Sequence, residues 1–392
     1  MTTRVSLAPP RPGGEPAPAR PLLAAAGAAT ILGGDDDGLA PIAAAADSLF
    51  GPRGAVLLGP DGPLIVADTG HHRVLLWHRR PRADRTAADL VLGQPDASGE
   101  GRNARGEITA ATFNVPTAVA AGSGVVAVAD AWNHRVLIWH GVPARAGQPA
   151  DVVLGQADGR GGLANRGTDT AGADTLHWCY GVAILDGRLF VADTGNRRVL
   201  VWDGIPERHG APADLVLGQR SPTDRDENAG DAAGATGMRW PHGLAIWLGE
   251  LMIADAGNNR VMGWRALPRS HGQPCDYVLG QASTAGVDHN RGAYYPTAAT
   301  FNMPYGLTVL GDRLAVADTA CSRLVGFEPG ARVTGGAASL LSGQPRFCDK
   351  GDNRWGRAMR DSVCWPYAIA ACGTTAVVTD SGNNRVLLWE AA

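Results

Sequence analysis

Residues 189–202 read LFVADTGNRRVLVW, and the string returns along the chain as LIVADTGHHRVLLW (64–77), VAVADAWNHRVLIW (126–139), LMIADAGNNRVMGW (251–264), LAVADTACSRLVGF (314–327) and AVVTDSGNNRVLLW (376–389). Its aspartates, Asp68, Asp130, Asp193, Asp255, Asp318 and Asp380, are separated by 62, 63, 62, 63 and 62 residues. A second marker, LVLGQ or a close variant, ends at Gln94, Gln156, Gln219, Gln281 and Gln344 with the same steps. Two markers in phase over six copies define an internal repeat, and the repeat decides the fold.

A third string precedes each aspartate segment: FGPRGAV, NVPTAVA, WCYGVAI, WPHGLAI, MPYGLTV and WPYAIAA. Each unit therefore reads as four short strands, A (GLAI), B (LFVAD), C (RVLVW) and D (ADLVLGQ). One such sheet cannot bury both of its faces alone, so neighbours must stack around an axis. The expected fold is all-β, a six-bladed β-propeller of four-stranded blades. The last unit stops at Trp389-Glu-Ala-Ala without a D strand, while Ala28-Ala-Thr-Ile-Leu-Gly-Gly stands ahead of the first A strand. The N-terminal segment is thus expected to complete the last blade and close the ring, which removes two open edges. Residues 1–20 read as a flexible Pro/Ala-rich segment and 21–392 as a single propeller.

The repeated strings resemble the NHL family of propellers, whose signature is close to VADTGNNRV, and the resemblance covers nearly all of residues 21–392. It implies a bacterial protein of a long-repeat type that binds a ligand, peptide, RNA or protein, with a few enzymes such as peptidyl-hydroxyglycine lyases in the family. The units here are about 20 residues longer than a minimal four-stranded blade, the excess lying between strands D and A.

Composition agrees with many short strands joined by turns: 53 of the 392 residues are glycine and only 19% are charged. The net charge is −3 and Lys350 is the only lysine, which leaves no broad cationic footprint for nucleic acid and no polybasic stretch for a membrane. Six cysteines occur without a CxxC pair, and a domain of this size needs no disulfide staples. The N-terminus does not match a compact signal peptide, so the expected location is cytoplasmic.

A residue present in every blade serves six equivalent places, whereas a ligand needs one. The Asp and the Arg five positions later, as in Asp193 and Arg198, read as a charge-assisted pair holding the B–C turn. Trp77, Trp139, Trp202, Trp264 and Trp389, with Phe327 in the remaining blade, end strand C and read as blade packing. The D–A insertions carry Asn103, Asn165, Asn228, Asn290 and Asn353 in phase, a turn signal.

Blades differ where strand A begins. Alternating strand direction places the B–C turns and the long D–A insertions on one face of the disc, and strand A is innermost. Residues flanking the conserved proline therefore ring the mouth of the central channel. Two before it stand Phe50, Asn114, His177, Arg239, Asn302 and Cys364; one before it, Gly51, Val115, Trp178, Trp240, Met303 and Trp365; just after it, Arg53, Thr117, Tyr180, His242, Tyr305 and Tyr367. In blade three Cys179 replaces the proline itself. Such an uneven set is expected of a specific pocket, or alternatively of side chains that plug the axis. Trp132 stands where other B–C turns carry glycine, so it reads either as a partner anchor or as a cover for its own insertion.

The expected binding residues are thus Arg53, Trp132, His177, Trp178, Tyr180, Arg239, Trp240, His242, Tyr305, Cys364, Trp365 and Tyr367, with no catalytic residue assigned. His177, Cys179, His242 and Cys364 are candidate ligands should a divalent metal be held, because His and Cys are preferred zinc donors. The resemblance to amidating lyases, with zinc-bound histidines beside Arg and Tyr, points to His177, His242, Arg239 and Tyr180. The leading expectation is a non-enzymatic module that binds a protein segment or small ligand at the channel mouth, without a cofactor. The alternatives are a metal-dependent lyase or hydrolase at the same mouth, and, by resemblance, an accessory factor for maturation or assembly of a hydrogenase-type metalloenzyme.

Overall fold

Strand B is buried along its whole length in four blades, as in Leu64–Asp68 and Glu250–Asp255, and after its first residue, Arg188 or Arg313, in the other two; most of strand C is buried as well. These runs are continuously apolar rather than alternating because blades cover both faces of each sheet. Strand A, as in Pro116–Gly122, alternates buried and half-buried positions and lines the channel. The computed structural model describes residues 18–34 and 42–392. Among these there is no α-helix, and no helix long and apolar enough to cross a membrane.

The strands form six sheets arranged as six blades, each with strands A to D in antiparallel order. Six apolar clusters lie between successive blades. The aromatic residue ending strand C packs against the preceding blade: Trp139 joins Ile65 and Leu76, and Trp202 joins Ile138 and Leu154. Each of the five indoles also donates to a backbone carbonyl, as Trp77 Nε1 does to Thr86 O at 2.9 Å and Trp389 Nε1 to Ala24 O at 2.8 Å. At the hub, glycine lets adjacent A strands approach. A Cβ on Gly306 would lie 2.7 Å from the Ala368 Cα, and one on Gly181 would collide with the carbonyl oxygen of His242.

Thr30–Leu32 pairs antiparallel with Val386–Leu388 and supplies strand D of blade six, as the missing LVLGQ implied. Just upstream, Arg20 and Pro21 run parallel to Leu340 and Leu341 at the outer edge of blade five, and Leu22 and Leu23 are fully buried. The N-terminal chain therefore ties two blades together. The expected boundary at residue 20 falls inside this pairing; residues 1–17 of the segment read as flexible lie outside the described residues.

The repeated Asp and Arg are the hinge on which each blade presents its loops. Asp193 Oδ2 accepts from Arg198 Nε at 2.7 Å, and the five equivalent pairs measure 2.7–2.9 Å, with all twelve side chains fully buried. The other carboxylate oxygen accepts the backbone N–H of the residue two before the proline: Phe50 at 2.7 Å, Asn114 at 2.6 Å, His177 at 2.7 Å, Arg239 at 2.8 Å, Asn302 at 2.7 Å and Cys364 at 2.7 Å. The guanidinium ends reach insertion carbonyls, as Arg135 does at Thr109 O, Thr112 O and Gly159 O. One ion pair thus fixes the B–C turn, the D–A insertion and the start of strand A together. The insertion asparagines adopt left-handed backbone, as the turn signal implied, and their amides pair with the turn, Asn103 with Asn133 and Asn165 with Asn196.

Candidate functional site

Each B–C turn is a short 3₁₀ turn that ends on a residue in the left-handed region: His72, His134, Arg197, Asn259, Ser322 and Asn384, with φ between 48° and 58°. In five blades this side chain accepts a hydrogen bond from the backbone N–H just before the proline of the next blade. His72 Nδ1 accepts from Val115 at 3.0 Å, His134 Nδ1 from Trp178 at 3.0 Å, Asn259 Oδ1 from Met303 at 2.8 Å, Ser322 Oγ from Trp365 at 3.2 Å and Asn384 Oδ1 from Gly51 at 2.8 Å. Arg197 has no acceptor to offer. The Trp240 N–H instead donates to Asp255 Oδ1 of its own blade at 3.2 Å.

These turns and the starts of the A strands enclose a cup of 920 Å³ at the channel mouth. Its floor is a layer of rings: Tyr180 stacks on His242 at 5.3 Å between centroids, His242 lies 4.4 Å from Tyr305, and Tyr305 lies 4.6 Å from Tyr367. The Arg53 guanidinium sits 4.9 Å over the Tyr367 ring. These same five residues also line a second cavity of 290 Å³, the channel beyond, whose walls are the small and apolar residues of the A strands. One layer of side chains thus borders both the cup and the channel.

Burial sets the protonation of the floor and wall. His242 is buried and its pKa is lowered to about 4, against a weaker pull from the Trp240 carbonyl that its Nδ1 contacts at 3.0 Å. Burial likewise lowers His134 to about 4, with a contribution from His177. Burial also lowers His177, with Arg225 and Arg197 adding to the effect against Asp193. Burial pushes the Tyr305 hydroxyl up to about 12. Burial thus disfavours the charged forms of His242, His177 and Tyr305, and the charged side chains lining the cup are the arginines Arg53, Arg197 and Arg225.

Nine of the twelve expected binding residues line the cup: Arg53, His177, Trp178, Tyr180, Trp240, His242, Tyr305, Trp365 and Tyr367. Trp178, Trp240 and Trp365 form the rim and are each about two-fifths exposed, in contrast to the buried strand C indoles. Trp132 is not among the residues lining the cup; its Nε1–H reaches the Tyr180 hydroxyl of the next blade at 3.3 Å. Arg239 braces the rim from outside, 5.1 Å from the Trp240 ring centroid and 3.2 Å from Glu227. Cys364 is not among the residues lining the cup, although its thiol lies beside Gly382, which is; burial pushes the thiol up to about 12.

The candidate metal ligands do not converge. His177 and His242 line the cup, but Cys179 is buried with its thiol on the Arg135 carbonyl at 3.1 Å, and Cys364 is not among the lining residues. Among the described residues no three His, Cys, Asp or Glu side chains come together as metal ligands. The donor set does not fit a metal, and no step is derived through one.

Sequence reasoning missed Arg197 and Arg225, both on the cup wall. The signal for Arg197 was in the repeat: it is the only cation in a column otherwise holding His, Asn or Ser. Arg225 lies inside an insertion whose length and composition vary between blades, and no column exposes it. The walls also carry Thr69, Thr194 and Ser381, whose hydroxyls are already committed to the carbonyls of Pro116, Pro241 and Pro52 in the following blades.

No protein-family model matches the sequence, and no curated protein matches it. Solved structures do share its architecture. A protein of unknown function from Bacteroides thetaiotaomicron is similar at a TM-score of 0.52 and 14% identity, over 93% of this chain and 75% of that one. Hydrazine synthase from Kuenenia stuttgartiensis is similar at a TM-score of 0.51 and 11% identity, over 88% of this chain and 96% of that one. At such identities the likeness is one of fold alone.

Proposed function

We propose that this protein is a non-enzymatic, NHL-type binding propeller that holds a small ligand in the cup at the channel mouth. The observation that carries the reading is where the repeat breaks down. Positions that hold the blades together keep one chemistry across the repeat, while those lining the cup carry Trp, Tyr, His and Arg in no repeating order. A volume of 920 Å³ floored by rings and rimmed by half-exposed indoles suits a drug-sized molecule, which sites of about 300–1,000 Å³ enclose. Trp132, half exposed on the same face and joined to Tyr180, favours a second reading in which a protein segment covers the cup.

The test is a thermal-shift and tryptophan-fluorescence screen of a metabolite library and a peptide library. A ligand of the cup loses about ten-fold or more in affinity, some 1.4 kcal/mol, on Trp178→Ala with Trp240→Ala, and is indifferent to Trp355→Ala. Equal binding to all variants removes the cup as the site. A peptide whose binding depends on Trp132 while small molecules leave the protein unshifted selects the second reading.

A further inference from the structure

Three arginines bring positive charge to the cup. The six strand C arginines are paired with buried aspartates, and several insertion arginines meet carboxylates, as Arg166 meets Asp174 and Arg360 meets Asp84. Arg53, Arg197 and Arg225 line the cup, and no aspartate or glutamate lines it with them. Among the described residues none of the three forms an ion pair: Arg53 lies over the Tyr367 ring, and Arg197 donates only to the carbonyls of Gly195 at 3.3 Å and Arg225 at 3.0 Å. The acids that flank Arg225 in sequence, Asp224 and Asp226, are exposed and outside the cup wall. A protein of net charge −3 thus keeps a pocket whose formal charges are all positive.

Arg197 is also where the scaffold gives up a contact. Its column supplies a neutral acceptor in every other blade, and the arginine leaves the seam between blades three and four without that hydrogen bond. Its Nε is buried with no protein partner, and so is Nδ1 of His177 on the same wall. A sequence that breaks its own rule at one of six places, and leaves buried polar atoms unmatched there, marks a place reserved for something else.

We infer that the ligand is a small organic anion with a planar apolar part, its carboxylate or phosphate group taken by the Arg197 and Arg225 side of the wall and its flat part by the rim indoles and the ring floor. This rests on the reading of the cup as a small-ligand site. Guanidinium suits the acid group because it is always charged and offers paired donors to two oxygens. Indole and phenol faces suit the flat part because stacking needs area and no fixed hydrogen-bond pattern.

Two measurements test it. In a Trp355→Phe background the exposed indoles are those around the cup, so collisional quenching by iodide and by caesium at constant ionic strength reads the charge there. Iodide is expected to quench several-fold more strongly than caesium, and the two to approach parity in Arg197→Gln with Arg225→Gln. Circular dichroism confirms that this variant is folded. Indole-3-acetate, indole-3-acetamide and tryptamine, which share one ring, are then titrated with phenyl phosphate as the fourth probe. The acetate or the phosphate is expected to bind about ten-fold or more tighter than the amide and the amine, a preference lost in the double variant; which of the two binds tighter identifies the acid group. Equal binding of acid, amide and amine, or equal quenching by iodide and caesium, overturns the anion while leaving the cup as a ligand site. Binding of none of the four overturns the small-ligand reading and this inference with it.

Discussion

Two seams of the ring, alike in sequence position, are built differently. Between blades four and five, Asn259 accepts the Met303 N–H at 2.8 Å, and Met303 sits in the left-handed region at φ 58°. Between blades three and four, Arg197 stands where Asn259 does and Trp240 where Met303 does, yet the bond is absent. Trp240 is the one residue of its column without positive φ, and its N–H turns to Asp255; the one-residue bulge at the start of strand A is common to both blades, between Pro241 and Leu244 as between Pro304 and Gly306. His242 enters the ring floor as Tyr305 does from blade five, and its Nδ1 meets the Trp240 carbonyl. A residue that cannot accept a hydrogen bond thus goes together with a different backbone at the facing position, Trp240. The difference teaches that six-fold regularity and a one-fold site are made from the same columns, the second by substitution in the first.

The largest effect that sharpens this contrast separates two neighbouring arginines. Arg198→Leu leaves Asp193 buried and unpaired and is expected to destabilise by about 3–5 kcal/mol, whereas Arg197→Leu is expected to cost less than about 1 kcal/mol. Urea denaturation midpoints of the two variants measure it; equal losses would erase the distinction between a scaffold arginine and a cup arginine.

Acid should separate the seams from one another. His134 and His242 have folded pKa values lowered to about 4, and His72 is lowered too, all with burial as the leading cause. Between pH 6.5 and 4 the unfolded chain binds more protons than the folded one at these sites, so stability is fully present above pH 6.5 and is lost as pH falls toward 4. For His242 the loss approaches about 3 kcal/mol, and His242→Gln should flatten the pH profile of chemical denaturation by that amount. A protonated Nδ1 cannot accept, so the seams held by His72 and His134 should loosen first. Hydrogen exchange at Val115 and Trp178 is expected to accelerate on acidification relative to Met303 and Gly51, whose acceptors are amides. Uniform acceleration at all four would break the comparison.

The smallest effect is reciprocal. Asn259→Ala should cost about 1–2 kcal/mol by orphaning a backbone donor, while Arg197→Asn should gain about 0.5–1.5 kcal/mol by restoring one. Thermal or urea midpoints read both signs. The gain should come with loss of the cup's preference for anions, a trade between stability and function.

The sequence alone determined the number of blades, the closing strand at Thr30–Leu32, the Asp–Arg pair as a hinge and the columns that flank the channel, because periodic strings report local geometry and each copy corroborates the others. Tertiary structure alone decided that Trp132 reaches Tyr180, that the Cys179 thiol is taken by the Arg135 carbonyl, and that Arg225 joins Arg197 in the cup. Those are contacts across seams and between insertions of unequal composition. Strand period does not specify them, since which way a loop side chain turns is settled only when the next blade arrives beside it.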